Sequence, residues 1–141
     1  MLEKLKKHQM VRVRTCQTVA GIMKTILLTK SPFDRDKEHM WTIGLSRRNM
    51  IKYIDLVSIG SMTGTIASPM EIYRMAVHKA ANSIIICHNH PSGEVEPSEN
   101  DRIITKQIRE AGKILQIELM DSIIISENDA FYSFANAGSL W

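Results

Sequence analysis

The run from Ile84 to Asp101 constrains this chain more than any other stretch: Ile-Ile-Ile-Cys-His-Asn-His-Pro-Ser-Gly-Glu-Val-Glu-Pro-Ser-Glu-Asn-Asp. Three β-branched residues and a cysteine lead into two histidines, His88 and His90. A Pro/Gly loop follows, and Ser98 then opens a helix with Asp101 in its first turn. Strand end, loop and helix start form a geometry that converges side chains on one point. At a strand end, residues i and i+2 point to the same side, so both imidazoles reach one ion. Histidine is the commonest metal ligand near neutral pH. Asp101 sits beside the positive end of a helix, which favours a carboxylate. Two histidines and one carboxylate leave a fourth position for water, the open coordination of a catalytic zinc.

A zinc-bound water needs a general base. Glu94 and Glu96 lie within the loop, on a polar stretch expected to be exposed. Glu38 opens a strand, and an acid there is placed to face the end of a neighbouring strand. Spacing leaves the choice open. Ser98 also has two readings, which are compatible. As an N-cap its oxygen accepts a backbone N–H; as a donor its hydroxyl stabilises an oxyanion.

The remaining chain reads as the scaffold for that point. Val19, Ala20, Ile22, Met23, Ile26 and Leu27 recur at helical spacing over 16–28, with Thr15 as N-cap. Ser31-Pro32 stops this helix, because a residue before proline is pushed out of the α region. A charged connector, 34–37, leads to a strand over 38–45. Ser46-Arg47-Arg48-Asn49 is a turn with Asn49 suited to positive φ, and a strand over 50–59 returns. Residues 60–67 are expected to be irregular or a short extended segment. Ser68-Pro69-Met70-Glu71 is a helix start with a capping-box pattern, and that helix is expected to reach Ala81. Ser83 to Cys87 is a short apolar strand suited to a central position. A helix over 98–113 follows, with Gly112 as its stop signal. Strands over 117–125 and 131–134 close the chain. The order implies an α/β domain, a mixed sheet flanked by helices. Residues 1–14, basic and polar, are expected to be a frayed or accessory extension before a single domain spanning 15–141.

Composition excludes several classes. The 141 residues suffice for one core, and 44% hydrophobic with 23% charged residues is ordinary for a globular domain. No apolar run approaches the ~20 residues of a membrane span, and no secretory signal pattern follows the basic N-terminus. Cys16 and Cys87 form neither a CxxC pair nor a disulfide framework, so a cytoplasmic setting is expected. A net charge of +3 with 6% aromatics is a mild basic excess, weak support for a nucleic-acid partner. His8, His39 and His78 are read as structural, Cys87 as a buried thiol, and the methionines as core filler.

His88-x-His90, seven residues, then Ser98-x-x-Asp101 resembles the JAMM motif of JAB/MPN-domain metallopeptidases. The surrounding His-Asn-His-Pro-Ser-Gly is similar to the bacterial RadC family's version. So are Ala111-Gly112-Lys113-Ile114-Leu115-Gln116-Ile117, Glu38-His39-x-Trp41, and Pro69-x-Glu71 with Ala76. The likeness covers roughly 15–135. It implies a three-layer α/β/α fold resembling cytidine deaminases, and zinc bound by His88, His90 and Asp101. It also implies Glu38 as general acid/base and Ser98 as support for the tetrahedral intermediate. Related JAMM domains hydrolyse peptide or isopeptide bonds beside ubiquitin-like or sulfur-carrier proteins, so a peptide or protein is the expected substrate. Two departures stand out: Asp121-Ser122 where the family usually has Asp-His, and Ser68 where it often has His. Longer members carry an N-terminal helix-hairpin-helix segment, for which this sequence is too short.

The rivals fare less well. A nucleobase deaminase requires His-x-Glu and a later Pro-Cys-x-x-Cys, neither of which is present. The contiguous His-Asn-His triplet is no evidence for the nuclease class of that name. A non-catalytic MPN-type scaffold is the main alternative, with a DNA-repair-associated role behind it. Such scaffolds typically lose metal ligands, and here every ligand and the acid is kept.

Overall fold

A computed structural model of the chain describes residues 1–60 and 67–140, the side chain of His8 excepted. Five strands form one mixed sheet: β1 (Glu38–Leu45), β2 (Ile51–Gly60), β3 (Ser83–Asn89), β4 (Glu118–Ile125) and β5 (Phe131–Ser133). Their order is β2-β1-β3-β4-β5. β1 is antiparallel to both β2 and β3, β3 is parallel to β4, and β5 returns antiparallel. The parallel step needs a crossover connection, and the long helix between β3 and β4 supplies it.

Among the described residues there are four α-helices, α1 (Cys16–Leu28), the single turn α2 (Pro32–Arg35), α3 (Pro69–His78) and α4 (Glu99–Leu115), and a 3-10 turn at Lys7–Gln9. Alternation along β1 and β3 divides the core in two. Met40, Ile84 and Ile86 pack with Ile72, Tyr73, Ala76, Ile104 and Ile108 of α3 and α4. Trp41, Ile43, Ile85 and Cys87 pack with Val19, Met23, Ile26 and Leu27 of α1. The result is the expected three-layer α/β/α arrangement. β3 is buried along its whole length, as a central strand covered on both faces should be.

Several local readings are corrected. Ser31-Pro32 ends α1 but also starts α2: Ser31 Oγ accepts the Asp34 amide at 3.1 Å, and Pro32 takes the first helical position. α3 stops at His78, short of the expected Ala81. Ala80 turns left-handed (φ 50°), and Lys52 Nζ donates to the carbonyls of Lys79 and Ala80. α4 runs past Gly112 to Leu115, and the left-handed residue after it is Gln116 (φ 60°). Gly112 serves close packing instead. A Cβ there would lie 2.3 Å from Tyr73 Oη and 2.4 Å from the Ile117 carbonyl. β3 continues through His88 and Asn89, beyond Cys87.

The N-terminal segment is not frayed. It runs along the outer edge of β2, with the Glu3 amide donating to Ile54 O and the Ile51 amide to Val11 O. Glu3 then accepts from Trp41 Nε1 at 2.8 Å and from Lys30 Nζ. That pairing satisfies a sheet edge that would otherwise present open backbone groups. Asn49 has φ 61°, as the hairpin turn requires. The irregular connection expected at 60–67 falls mostly outside the described residues.

Candidate metal centre

Each component of the centre is delivered by a different element. β3 carries His88 on the face of the sheet that packs against α3 and α4. Met40 of β1 is its register partner. Glu38 is two residues before Met40 and so shares that face. His90 lies just past β3, where its amide donates to Ile125 O at the end of β4. Asp101 is the third residue of α4, held by a capping box: its amide donates to Ser98 Oγ, and its Oδ2 accepts the Ser98 amide.

The four side chains meet. His88 Nε2 lies 3.2 Å from His90 Nε2 and 3.1 Å from Asp101 Oδ1, and His90 Nε2 lies 3.0 Å from Asp101 Oδ2. Glu38 Oε1 stands 3.8 Å from His88 Nε2. One ligand atom from each of Glu38, His88, His90 and Asp101 falls within 4.8 Å of all the others. Tetrahedral bonds of about 2.0–2.1 Å hold ligand atoms about 3.3 Å apart. The His–His–Asp triangle is therefore the size that a zinc-sized ion needs.

The protonation pattern supports the fit. His90 Nδ1 lies 2.8 Å from the Glu94 carbonyl, which only accepts, so the proton sits on Nδ1. In the neutral ring Nε2 is then bare and faces Asp101. This is the outer support that metal-binding imidazoles usually have. His88 differs: its Nδ1 is buried and has no partner among the described residues. A bare nitrogen facing a second imidazole and a carboxylate is stable only with a cation or a proton between them. The metal-free chain shows that tension. The Asp101 hydrogen bond, opposed by burial, raises the His90 pKa. Burial would raise the Asp101 pKa, but the bonds from His88 and His90 outweigh it and hold the carboxyl well below its usual range.

The sequence candidates sort clearly. Glu38, His88, His90 and Asp101 are brought together, and Ser98 adjoins them through the cap. Glu94 and Glu96 stay exposed on the loop, outside the cluster; Glu94 contributes only its carbonyl. Ser68 caps α3 through the Glu71 amide, and Ser122 accepts from Thr105 Oγ1 at 3.1 Å. His39 is buried and structural, stacked on Trp41 with Nδ1 on the Lys37 carbonyl. His78 is exposed and Cys87 buried.

A model of the RadC-like JAB domain matches residues 13–139. The chain belongs to the RadC-like JAB domain family. A UPF0758 protein of Chlorobium chlorochromatii is 40% identical over 107 residues, covering 76% of this chain and 48% of the relative. One from Desulforamulus reducens is 38% identical over 118 residues, covering 84% of this chain and 50% of the relative. One from Clostridium acetobutylicum is 46% identical over 92 residues, 65% of this chain and 40% of the relative. The chain thus spans about half the length of the curated relatives it matches. Within the family domain, the Glu–His–His–Asp group is a cluster able to hold a metal ion. No helix among the described residues is long and apolar enough to cross a membrane.

Proposed function

We propose that this RadC-like domain is a zinc-dependent hydrolase of the JAMM type that cleaves a peptide or isopeptide bond. The observation that carries the reading is the position of Glu38. It borders a complete His88–His90–Asp101 ligand set at 3.8 Å, close enough to act on a group held there and not needed as a ligand itself. A bound zinc would supply a Lewis acid for the scissile carbonyl and a water acidified to near neutrality.

The chain's own residues account for the rest. Glu38 accepts the proton of the attacking water and later delivers it to the departing amine. Water's oxygen ends on the new carboxyl group, and the C–N bond is the one that breaks. Ser98 Oγ already accepts the Asp101 amide, which leaves its proton to donate to the developing oxyanion. Ser98 is exposed and Glu38 and His90 are partly buried, so a substrate would reach them from the loop side. The ligand chemistry, two imidazoles and a carboxylate with an open position, also suits iron(II), so metal identity is part of the test.

Metal content of protein purified without added zinc decides the first step. Parent protein should hold about one equivalent of zinc; His88→Ala and Asp101→Ala should hold little. Equal metal in those variants would remove the site. Incubating zinc-loaded protein with a mixed peptide library, read by mass spectrometry, decides the second. New C-termini should appear with the parent and vanish with Glu38→Gln, a variant that keeps its metal.

A further inference from the structure

Asn89 stands between the two histidine ligands, yet its side chain points to the opposite face of the sheet. It is only 1% exposed. Its Oδ1 accepts the His39 amide at 2.6 Å, and its Nδ2 donates to the Lys37 carbonyl at 3.0 Å. Those two backbone groups flank Glu38. The same carbonyl also receives His39 Nδ1 at 2.9 Å. The peptide units on both sides of Glu38 are therefore tied to the residue between the ligands.

The sheet register explains why a side chain is needed. Main-chain pairing of β1 with β3 ends at Met40 and His88. Beyond it the β3 main chain turns away, and the His90 amide bonds to β4. The next pair would have been His39 with Asn89. There the Asn89 amide replaces the missing backbone donor and acceptor, continuing the ladder for one more step. A side chain lacking the acceptor leaves the buried His39 amide unsatisfied, which local structure moves to avoid, and one lacking the donor leaves the Lys37 carbonyl with only His39 Nδ1.

We infer that Asn89 is a positioning residue: it locks the start of β1 so that the Glu38 carboxylate stays in register with the His88–His90–Asp101 set. The inference rests on the proposed acid/base role of Glu38 for its significance, but the placement itself is tested without any substrate. Among the described residues the Asn89 side chain bonds to the His39 amide and the Lys37 carbonyl and to none of the candidate ligands, so its removal should separate Glu38 from the metal while the ligands persist.

The probe is Co²⁺ bound in place of zinc, with paramagnetic proton shifts read by NMR. In the parent, the Glu38 γ-protons and both imidazoles should be strongly shifted. In Asn89→Ala, the imidazole shifts should remain and the Glu38 shift should collapse toward its diamagnetic position. Asn89→Asp keeps an acceptor for the His39 amide and loses the donor to Lys37, so an intermediate loss is expected; it also serves if Asn89→Ala does not fold. Glu38 shifts unchanged in the folded variants overturn the inference. So does joint loss of the Glu38 and imidazole shifts, which would make Asn89 a general support of the loop. If turnover is found, Asn89→Ala should lower kcat about a hundredfold and add nothing in a Glu38→Gln background. A protein that passes the cobalt test and cleaves nothing keeps the placement and loses the peptidase reading.

Discussion

Ser98 and Asp101 hold each other at the start of α4: the Asp101 amide donates to Ser98 Oγ at 3.0 Å, and the Ser98 amide donates back to Asp101 Oδ2 at 2.9 Å. That Oδ2 also faces His90 Nε2 at 3.0 Å. The helix cap and the candidate metal centre are thus one structure, and the cap orients the carboxylate. Removing the hydroxyl with Ser98→Ala should destabilise the protein by about 1 kcal/mol and weaken zinc binding by about tenfold or more. Ser98→Thr retains the capping oxygen and should stay near the parent. Chemical denaturation and competitive zinc titration check both numbers. Parental zinc affinity in Ser98→Ala would show that the backbone half of the box suffices to orient Asp101.

The ligands should also make metal-free and metal-loaded protein respond oppositely to pH. Asp101's bond raises the His90 pKa against the effect of burial, so its contribution to the metal-free fold is full below the unfolded histidine value. It is lost as pH rises through the folded one. The Asp101 pKa is depressed, so its contribution is present above the unfolded aspartate value and fails only in acid. Above the ordinary histidine value of about 6.5, His90 therefore governs this site, and the metal-free site weakens as pH rises through the raised value. Zinc needs the bare Nε2, so its competition with the proton eases over the same range. The Tm difference between zinc-loaded and EDTA-treated protein should widen with pH. A difference that narrows would mean His90 is not a ligand.

How much of this centre was legible depended on what kind of contact each residue makes. His88, His90, Ser98 and Asp101 are ordered by local periodicity, strand alternation and helix capping, so sequence spacing exposes them. Glu38 comes from a neighbouring strand. Its candidacy was readable, but the meeting with His88 depends on the β1–β3 register, which no spacing reveals. Asn89 was invisible for the same reason, since its partners Lys37 and His39 lie on that other strand. The N-terminal segment misled by composition: a basic, polar stretch reads as frayed or accessory, whereas one half-buried carboxylate, Glu3, anchors it to Trp41 and Lys30. Gly112 looked like a helix stop because glycine commonly is one, and only the packing of Tyr73 shows its use.

Two glycines should respond to the same substitution with opposite signs. Gly112→Ala places a methyl 2.3 Å from Tyr73 Oη and 2.4 Å from a backbone carbonyl. Tyr73 is itself buried, with its hydroxyl donating to Ile108 O at 2.8 Å, so relief means breaking that bond or moving α4. A loss of about 2 kcal/mol or more is expected. Gly21 lies within α1, where an added methyl would meet nothing within 4 Å. Gly21→Ala should stabilise by about 0.5–1 kcal/mol, because it removes unfolded-state freedom from a helical site. Urea denaturation of both variants measures the pair, and equal effects would refute the packing role of Gly112.

Asp121 offers a test on the other face of the sheet. Its Oδ1 accepts the amides of Ser122 at 2.7 Å and Ala135 at 2.9 Å, and its Oδ2 accepts the Ser133 hydroxyl. The group ties β4 to β5 and to the turn that follows it. Asp121→Ala leaves two backbone amides without acceptors and should cost about 3 kcal/mol. Asp121→Asn keeps Oδ1 for both amides and presents its NH₂ to Ser133, whose hydroxyl then accepts. The two variants separate hydrogen bonding from charge. Burial raises the Asp121 pKa despite its donors. Its stabilising contribution is therefore full below the unfolded aspartate value and lost as pH rises through the folded one. Asp121→Asn carries no such dependence. The stability advantage of the parent over Asp121→Asn should therefore shrink as pH rises above the ordinary aspartate value of about 3.9, measured by denaturation at fixed ionic strength. An advantage that grows with pH would mean that the three donors outweigh burial and that the carboxylate is the favoured buried form.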